Sequence, residues 1–358
     1  MAYERLRRYG IQPSFEEASG PGGLCLARIT EQHRDRYKVM SEDGELWGEV
    51  SGKLAYLAGD ETAFPAVGDW VLMDLPEGSG SSGVIRRVLP RKSAFERRAA
   101  GTAHAVQVVA ANVDVVFLCM ALVGDFNLRR LERYLSVAWG SGAVPVIVLT
   151  KADLCDDLPA RLEEVTSVCA GARVLSCSSL EEEGFRHVLE GIPPGSTVAF
   201  LGSSGVGKST LINRLLGEDV LATGEVREDD GRGRHTTTHR QLILLPGGVL
   251  VIDTPGMREL QLDSGDLSRS FDDIGELAAR CRFPDCTHET EPGCAVREAI
   301  ARGELSPRRL DSFRKLRREM DYAALDSRQR EREKIRHMFG SMGEMKQLVR
   351  EAKRKNRR

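Results

Sequence analysis

The chain lacks a long apolar run. Its most apolar stretch, Val113 to Val123, is too short to span a bilayer and is crowded by Gln107, Asn112 and Asp114. No apolar segment follows the basic start Met1 to Gly10, so neither a secretory leader nor a membrane association is expected. Net charge is nearly absent as well. With 51 Lys and Arg against 53 Asp and Glu the chain carries −2, which argues against a uniformly basic nucleic-acid binder. Nor is there a disulfide framework: five of the eight cysteines (Cys25, Cys119, Cys155, Cys169 and Cys177) stand singly, in the manner of a reduced compartment. A cytoplasmic protein is expected. What remains is ample for folding, since 358 residues at 41% apolar content suit two or three domains.

The densest chemistry lies between Thr197 and Gly256. Thr197 to Leu201 is an apolar run of strand length. It leads into Gly202-Ser203-Ser204-Gly205-Val206-Gly207-Lys208-Ser209-Thr210, and then into a helical pattern at Leu211, Ile212, Leu215 and Leu216. This is a GxxxxGKS phosphate loop, whose backbone N–H groups converge on phosphate at a helix N-terminus. Lys208 would reach the β- and γ-phosphates, and the Ser209 hydroxyl would ligate Mg²⁺. Downstream, the buried-strand pattern Val249 to Ile252 ends in Asp253-Thr254-Pro255-Gly256. There Asp253 can hold Mg²⁺ through water, and Gly256 can offer its N–H to the γ-phosphate. Between the two, Gly231 to Thr238 is polar and rich in glycine and hydroxyls. It reads as a switch loop whose Thr238 closes on metal and γ-phosphate.

Upstream of this region the pattern changes twice. From Leu24 to about Phe95, five short strands with a hairpin signal at Glu42-Asp43-Gly44 suit a small OB-fold barrel. Its basic residues Arg34, Arg36, Lys38, Arg86, Arg87, Arg91 and Lys92 are either phosphate contacts or a solvated face. Residues 1 to 20 read as loosely held, and Arg97 to Gln107 as a polar connection. Then strands at Asp114 to Met120 and Val144 to Leu149 alternate with a helix capped by Asn127, which implies a parallel, doubly wound α/β sheet. Ligands of such sheets sit beyond the carboxyl ends of the strands. At that position stand Thr150, Lys151, Ala152 and Asp153. A carboxylate there accepts two hydrogen bonds from guanine and would be left unpaired by adenine. A second base-contacting loop is expected at Ser176 and Cys177.

Base recognition therefore precedes the phosphate loop, the reverse of most GTPases. The chain reads as circularly permuted, with its switch running directly into the C-terminal region. That region holds Cys281, Cys286, His288 and Cys294, a Cys₃His set with four protein ligands and no open position, as a single structural Zn²⁺ requires. The tail from Arg308 onward has 18 Lys and Arg against 8 Asp and Glu, a candidate RNA-binding arm or a solvated extension.

The permuted order, GSSGVGKST, GRGRHTTTHR, DTPG and CRFPDCTHETEPGC together resemble the ribosome small-subunit-dependent GTPase A family, over roughly residues 20 to 340. The resemblance implies an N-terminal OB-fold with a leading arm (1–96), a permuted P-loop GTPase domain (97–265), a helical zinc-binding domain (266–340) and a basic tail (341–358). It also implies a cytoplasmic GTPase that binds GTP and GDP with Mg²⁺. Such a protein acts as a monomer in late maturation of the small ribosomal subunit, contacts ribosomal RNA and is released on hydrolysis. Thr150 stands where many GTPases have Asn, so a side-chain amide contact is expected to be lost. Met257 follows Gly256 where Ras-like enzymes place a water-orienting Gln. His235 is the candidate to replace it, or else an RNA or loop contact. Two alternatives stay open: a P-loop ATPase or kinase with a small-molecule acceptor, and an RNA-binding protein with a vestigial nucleotide site.

Overall fold

The computed structural model describes residues 3–18, 23–33, 36–57, 61–75, 82–98, 106–178, 184–218, 240–253 and 265–324. The N-terminal segment is packed, against the expectation of a loose arm. Helices α1 (Glu4–Arg8) and α2 (Pro13–Ala18) bury Leu6 and Phe15, and the Phe15 ring lies 5.7 Å from Trp70. Glu42 fixes α1 by accepting from the N–H groups of Arg5 and Leu6.

Five strands come next: β1 (Cys25–Gln32), β2 (Tyr37–Ser41), β3 (Glu45–Val50), β4 (Trp70–Asp74) and β5 (Ser82–Val88), with helix α3 (Gly52–Leu57) between β3 and β4. They pair in the order β1-β2-β3-β5-β4, and β4 returns to β1, so the barrel closes. The two-residue period of strands explains the packing. Ala27, Ile29, Val39, Val71, Met73 and Ile85 fill the interior, while Leu26, Trp70 and Leu72 face α1 and α2.

Strands β6 (Ala94–Arg98) and β7 (Val106–Ala111) form an antiparallel pair, so the stretch read as a polar connection carries strand at both ends, and β6 spans the expected domain boundary. The central sheet is built from β8 (Val115–Ala121), β9 (Val144–Thr150), β10 (Arg173–Ser176), β11 (Thr197–Leu201), β12 (Arg240–Leu244) and β13 (Leu250–Asp253). Its order is β10-β9-β8-β11-β13-β12, parallel except for β12. Helices α4 (Leu128–Ser141) and α5 (Leu158–Thr166) pack on one face and α6 (Lys208–Leu216) on the other. Val116, Leu118 and Met120 of β8 meet Leu131 and Leu135 of α4, while Phe117 and Cys119 face Leu211 and Ile212 of α6. Burial on both faces is why these strands read as unbroken apolar runs.

Barrel and central sheet are continuous. Strand β12 pairs with β1 through Glu31↔Gln241 and Gln32↔Arg240, giving eleven strands in one sheet. Arg28 of β1, fully buried, locks the same seam. Its guanidinium donates to the Gly68 carbonyl, the Tyr9 carbonyl and the Thr197 hydroxyl at the start of β11. Burial lowers its pKa to about 10, so it stays a cation at neutral pH.

Four C-terminal helices complete the described chain: α7 (Leu267–Ser270), α8 (Asp272–Ala278), α9 (Ala295–Ala301) and α10 (Pro307–Ala324). The first part of the basic tail is thus a packed helix. Leu310 and Leu316 are buried, and Arg309 pairs with Glu132 of α4 at 2.6 Å and with Asp273 at 3.0 Å. Ser312 donates to the second Glu132 oxygen. Among the described residues, no helix is long and apolar enough to cross a membrane.

Candidate functional site: a phosphate loop, a base-recognition turn and a cysteine–histidine cluster

The phosphate loop runs from the end of β11 into the first turn of α6, as its sequence requires. Gly202 sits at φ +151°, and a Cβ there would lie 2.4 Å from the Cys119 carbonyl oxygen of β8. Only glycine lets the loop pass this close to the neighbouring strand. Gly207, at φ +93°, caps α6 in the left-handed region. Val206 is buried in the core under the loop, whereas Ser204 and Gly205 are exposed at its crest and Ser203 is half-buried. The Lys208 amino group donates to the carbonyls of Gly202, at 2.6 Å, and Ser203. Its cation therefore lies inside the curl of the loop, where an anion would be bound. Ser209 and Thr210 come directly after it, both half-buried, on the first turn of α6.

The base-recognition turn begins at the end of β9. Lys151 adopts φ +58°, and Ala152–Leu154 form one short 3₁₀ turn that leaves Asp153 exposed. The Ala152 N–H donates to the Cys177 carbonyl, and the Cys177 N–H to the Leu149 carbonyl. The second expected loop, at half-buried Ser176 and buried Cys177, thus abuts the first. Thr150 is buried, and its hydroxyl donates to the Val206 carbonyl of the phosphate loop at 2.6 Å. This contact was not legible in the sequence, because its acceptor lies 56 positions further along the chain. Two thiols line this region. Burial raises Cys119 to about 12 and Cys177 to about 11, so both are neutral, and neither is a nucleophile at neutral pH.

Asp253, half-buried, ends β13, next to β11 in the sheet. It stands on the same carboxyl edge as the phosphate loop, and with Ser209 it offers the oxygen donors that Mg²⁺ favours. His235, Thr238, Gly256 and Met257 lie outside the described residues.

Of the basic barrel residues, Arg91 is not a surface contact. It forms two bonds to the fully buried Asp69, at 2.8 and 2.7 Å, and donates to the carbonyls of Thr62 and Phe64. Arg36, Lys38, Arg86 and Lys92 pair with Glu49, Glu31, Asp74 and Asp114. Lys38 and Glu31 are half-buried, whereas the more exposed pairs contribute little to stability and leave their cations open to a polyanion.

Cys281, Cys286, His288 and Cys294 converge between α8 and α9, their ligand atoms all within 4.8 Å of one another. The Cys281 and Cys294 sulfurs are 3.9 Å apart and lie 3.6 and 3.5 Å from His288 Nδ1. A tetrahedral ion with sulfur bonds of about 2.3 Å and nitrogen bonds of about 2.0 Å would set these edges near ~3.8 and ~3.5 Å. The cluster could hold a metal ion. Burial, then the nearby Arg314 cation, holds His288 below its ordinary pKa, leaving the neutral ring that ligation needs. Sequence spacing alone could not show what shapes this loop. Glu291 accepts from the N–H groups of Thr287, Glu289 and Thr290 and from the Thr287 hydroxyl, and Arg314 of α10 donates to the His288 carbonyl.

Comparison with known proteins agrees with this architecture. Residues 88–263 match a model of the RsgA GTPase family. Over 344 residues the chain is 51% identical to small ribosomal subunit biogenesis GTPase RsgA 2 of Lactiplantibacillus plantarum, covering 96% of this chain and 97% of that one. The chain belongs to the RsgA GTPase family. A second RsgA protein, from Opitutus terrae, is 49% identical over 308 residues, covering 83% of this chain and 84% of that one. The crystal structure of YjeQ from Thermotoga maritima superposes with a TM-score of 0.61 at 27% identity, covering 83% of this chain and 98% of that one. YloQ, described as a circularly permuted GTPase, shares the fold with a TM-score of 0.58 at 23% identity, over 84% of this chain and 96% of that one. The closed five-stranded barrel and the permuted order found here are thus those of an RsgA-type GTPase.

Proposed function

We propose that this RsgA-family GTPase is a cytoplasmic assembly factor for late maturation of the small ribosomal subunit. It binds the subunit as a monomer through ribosomal RNA and leaves when GTP is hydrolysed. The observation that carries the reading is the placement of Thr150–Asp153 and Gly202–Thr210 at the carboxyl ends of β9 and β11, on either side of β8, in permuted chain order. An ATPase or kinase would have no use for the exposed Asp153, which accepts from guanine N1–H and the exocyclic amine. A vestigial nucleotide site would have no need to keep Lys208, Ser209 and Asp253 together on one edge. The names of the relatives supply the ribosomal half of the reading.

In this mechanism Gly202 to Thr210 hold the phosphates, and Lys208 offsets their charge. Mg²⁺, held by Ser209 and Asp253, would neutralise charge on the β- and γ-phosphates. Gly256 and Thr238 would sense the γ-phosphate, and His235 would orient the water in place of a glutamine once the subunit orders the loop. The switch segment returns at Arg240, whose guanidinium donates to Gln32 of the barrel and Gln107 of β7. A change at the switch therefore reaches the barrel through one strand pairing. The cysteine–histidine cluster holds one structural Zn²⁺. Sedimentation with small ribosomal subunits tests the reading. The non-hydrolysable GTP analogue should carry the protein into the subunit fraction, and GDP should release it. Equal sedimentation with both nucleotides would contradict the release mechanism.

A further inference from the structure

We infer that the cleft between the β8–α4 and β9–α5 loops docks a basic segment of a small-subunit protein, anchored by an apolar side chain. The inference rests on the assembly-factor reading above and goes beyond it by naming a protein contact. The cleft encloses about 630 Å³ between residues 122–130, which lead into α4, and residues 154–161, which lead into α5. Leu122 and Phe126 line it with carbon. Two bulky apolar side chains of its lining face water, Val123 at 43% exposure and Leu154 at 56%. Among the described residues only six large apolar side chains are so exposed, and two of them on one cleft mark a contact surface.

Charge decides the occupant. The cleft's two cations are already engaged. Arg130 donates to the carboxylate and the carbonyl of Asp125, each at 2.6 Å. Arg161 pairs with Glu164 at 3.0 Å and lies over the Phe126 ring, 4.4 Å from its centroid. The rim then presents Asp156 and Asp157, both exposed, the second also capping α5 at the Ala160 N–H. These carboxylates repel a phosphate backbone and attract lysine or arginine. Polypeptides packed on RNA are rich in those side chains, because they neutralise phosphate. One apolar side chain of such a segment would enter over Leu122 and Phe126, while its cations reach the rim. Leu154 closes the 3₁₀ turn that carries Asp153, so the occupant sits beside the base-recognition turn.

The test is photo-cross-linking of the full chain, as Val123→p-benzoylphenylalanine, to purified small subunits with a non-hydrolysable GTP analogue. The expected product joins this position to a subunit protein, through a peptide rich in Lys and Arg. Adding Asp156→Lys should cut its yield about fivefold. The same label at Val144, 54% exposed but at the opposite end of β9, should give background only. GDP affinity should stay within about twofold of wild type in each variant, as expected for a separate site. Cross-linking to ribosomal RNA would overturn the inference. So would a yield at Val123 no higher than at Val144, or one indifferent to Asp156→Lys. If the wild type did not sediment with the subunits at all, the assembly-factor reading itself would fall, a result distinct from any of these.

Discussion

The nucleotide site and the cysteine–histidine cluster are built in opposite ways. The first stands on the ends of parallel strands buried on both faces, with Val206, Leu211 and Ile212 anchoring its loop in the core. The second lies in a stretch without regular secondary structure between α8 and α9, where two of its four ligands, Cys281 and Cys286, are only half-buried. One site is shaped by hydrophobic packing before any ligand arrives. The other draws on polar contacts from Glu291 and Arg314 and on the packing of Cys294 in the core, and the proposed ion would add to these.

Stripping the metal should produce the largest effect. Structural zinc contributes about 10–16 kcal/mol of apparent binding energy in small zinc domains. A strong chelator should therefore unfold the loop from Cys281 to Cys294, seen as lost amide protection there, with GDP affinity kept within about threefold. If GDP binding collapsed with the metal, the two sites would not be independent. Asp153→Asn comes next, because a site built to hydrogen-bond its base discriminates by up to about 10⁴-fold. The preference for GTP over ATP in competition binding should fall by at least about a hundredfold, while protection around the cysteines stays unchanged.

The joint between the two regions is the third point of leverage. Glu132 and Arg309 form a buried pair, and breaking such pairs costs about 3–5 kcal/mol. Asp273 still faces the guanidinium, so Glu132→Gln should fall near the lower bound, at about 3 kcal/mol, in urea unfolding followed from the C-terminal helices. A shift below about 1 kcal/mol would mean that helix α10 is held by Leu310 and Leu316 rather than by the pair.

The same contrast explains what could be read from the sequence. The glycines of the phosphate loop and the apolar strands beside it obey local rules, so the loop, the sheet, the Asn127 cap and the permuted order were all legible. The four residues of the cysteine–histidine cluster were legible as a spacing. The features that were not legible depend on partners distant in sequence. Arg28 reaches Thr197 across 169 positions, Arg309 reaches Glu132 across 177, and Arg240 of β12 reaches Gln32 of β1 across 208. Charge misled in three places. Arg91 is an internal clamp on Asp69, and the start of the basic tail is a helix packed on α4. Residues 1 to 20 carry many charges, yet Leu6 and Phe15, with the Glu42 contacts to α1, hold the described part against the barrel.

The most direct test of the central claim is nucleotide turnover by the purified protein, GTP against ATP, with and without small ribosomal subunits. With methionine in the glutamine position, hydrolysis should be slow and GTP-selective and should rise manyfold when subunits are added. Equal turnover of ATP would contradict the assignment of Asp153, and GTP turnover indifferent to the subunit would contradict the proposed partner.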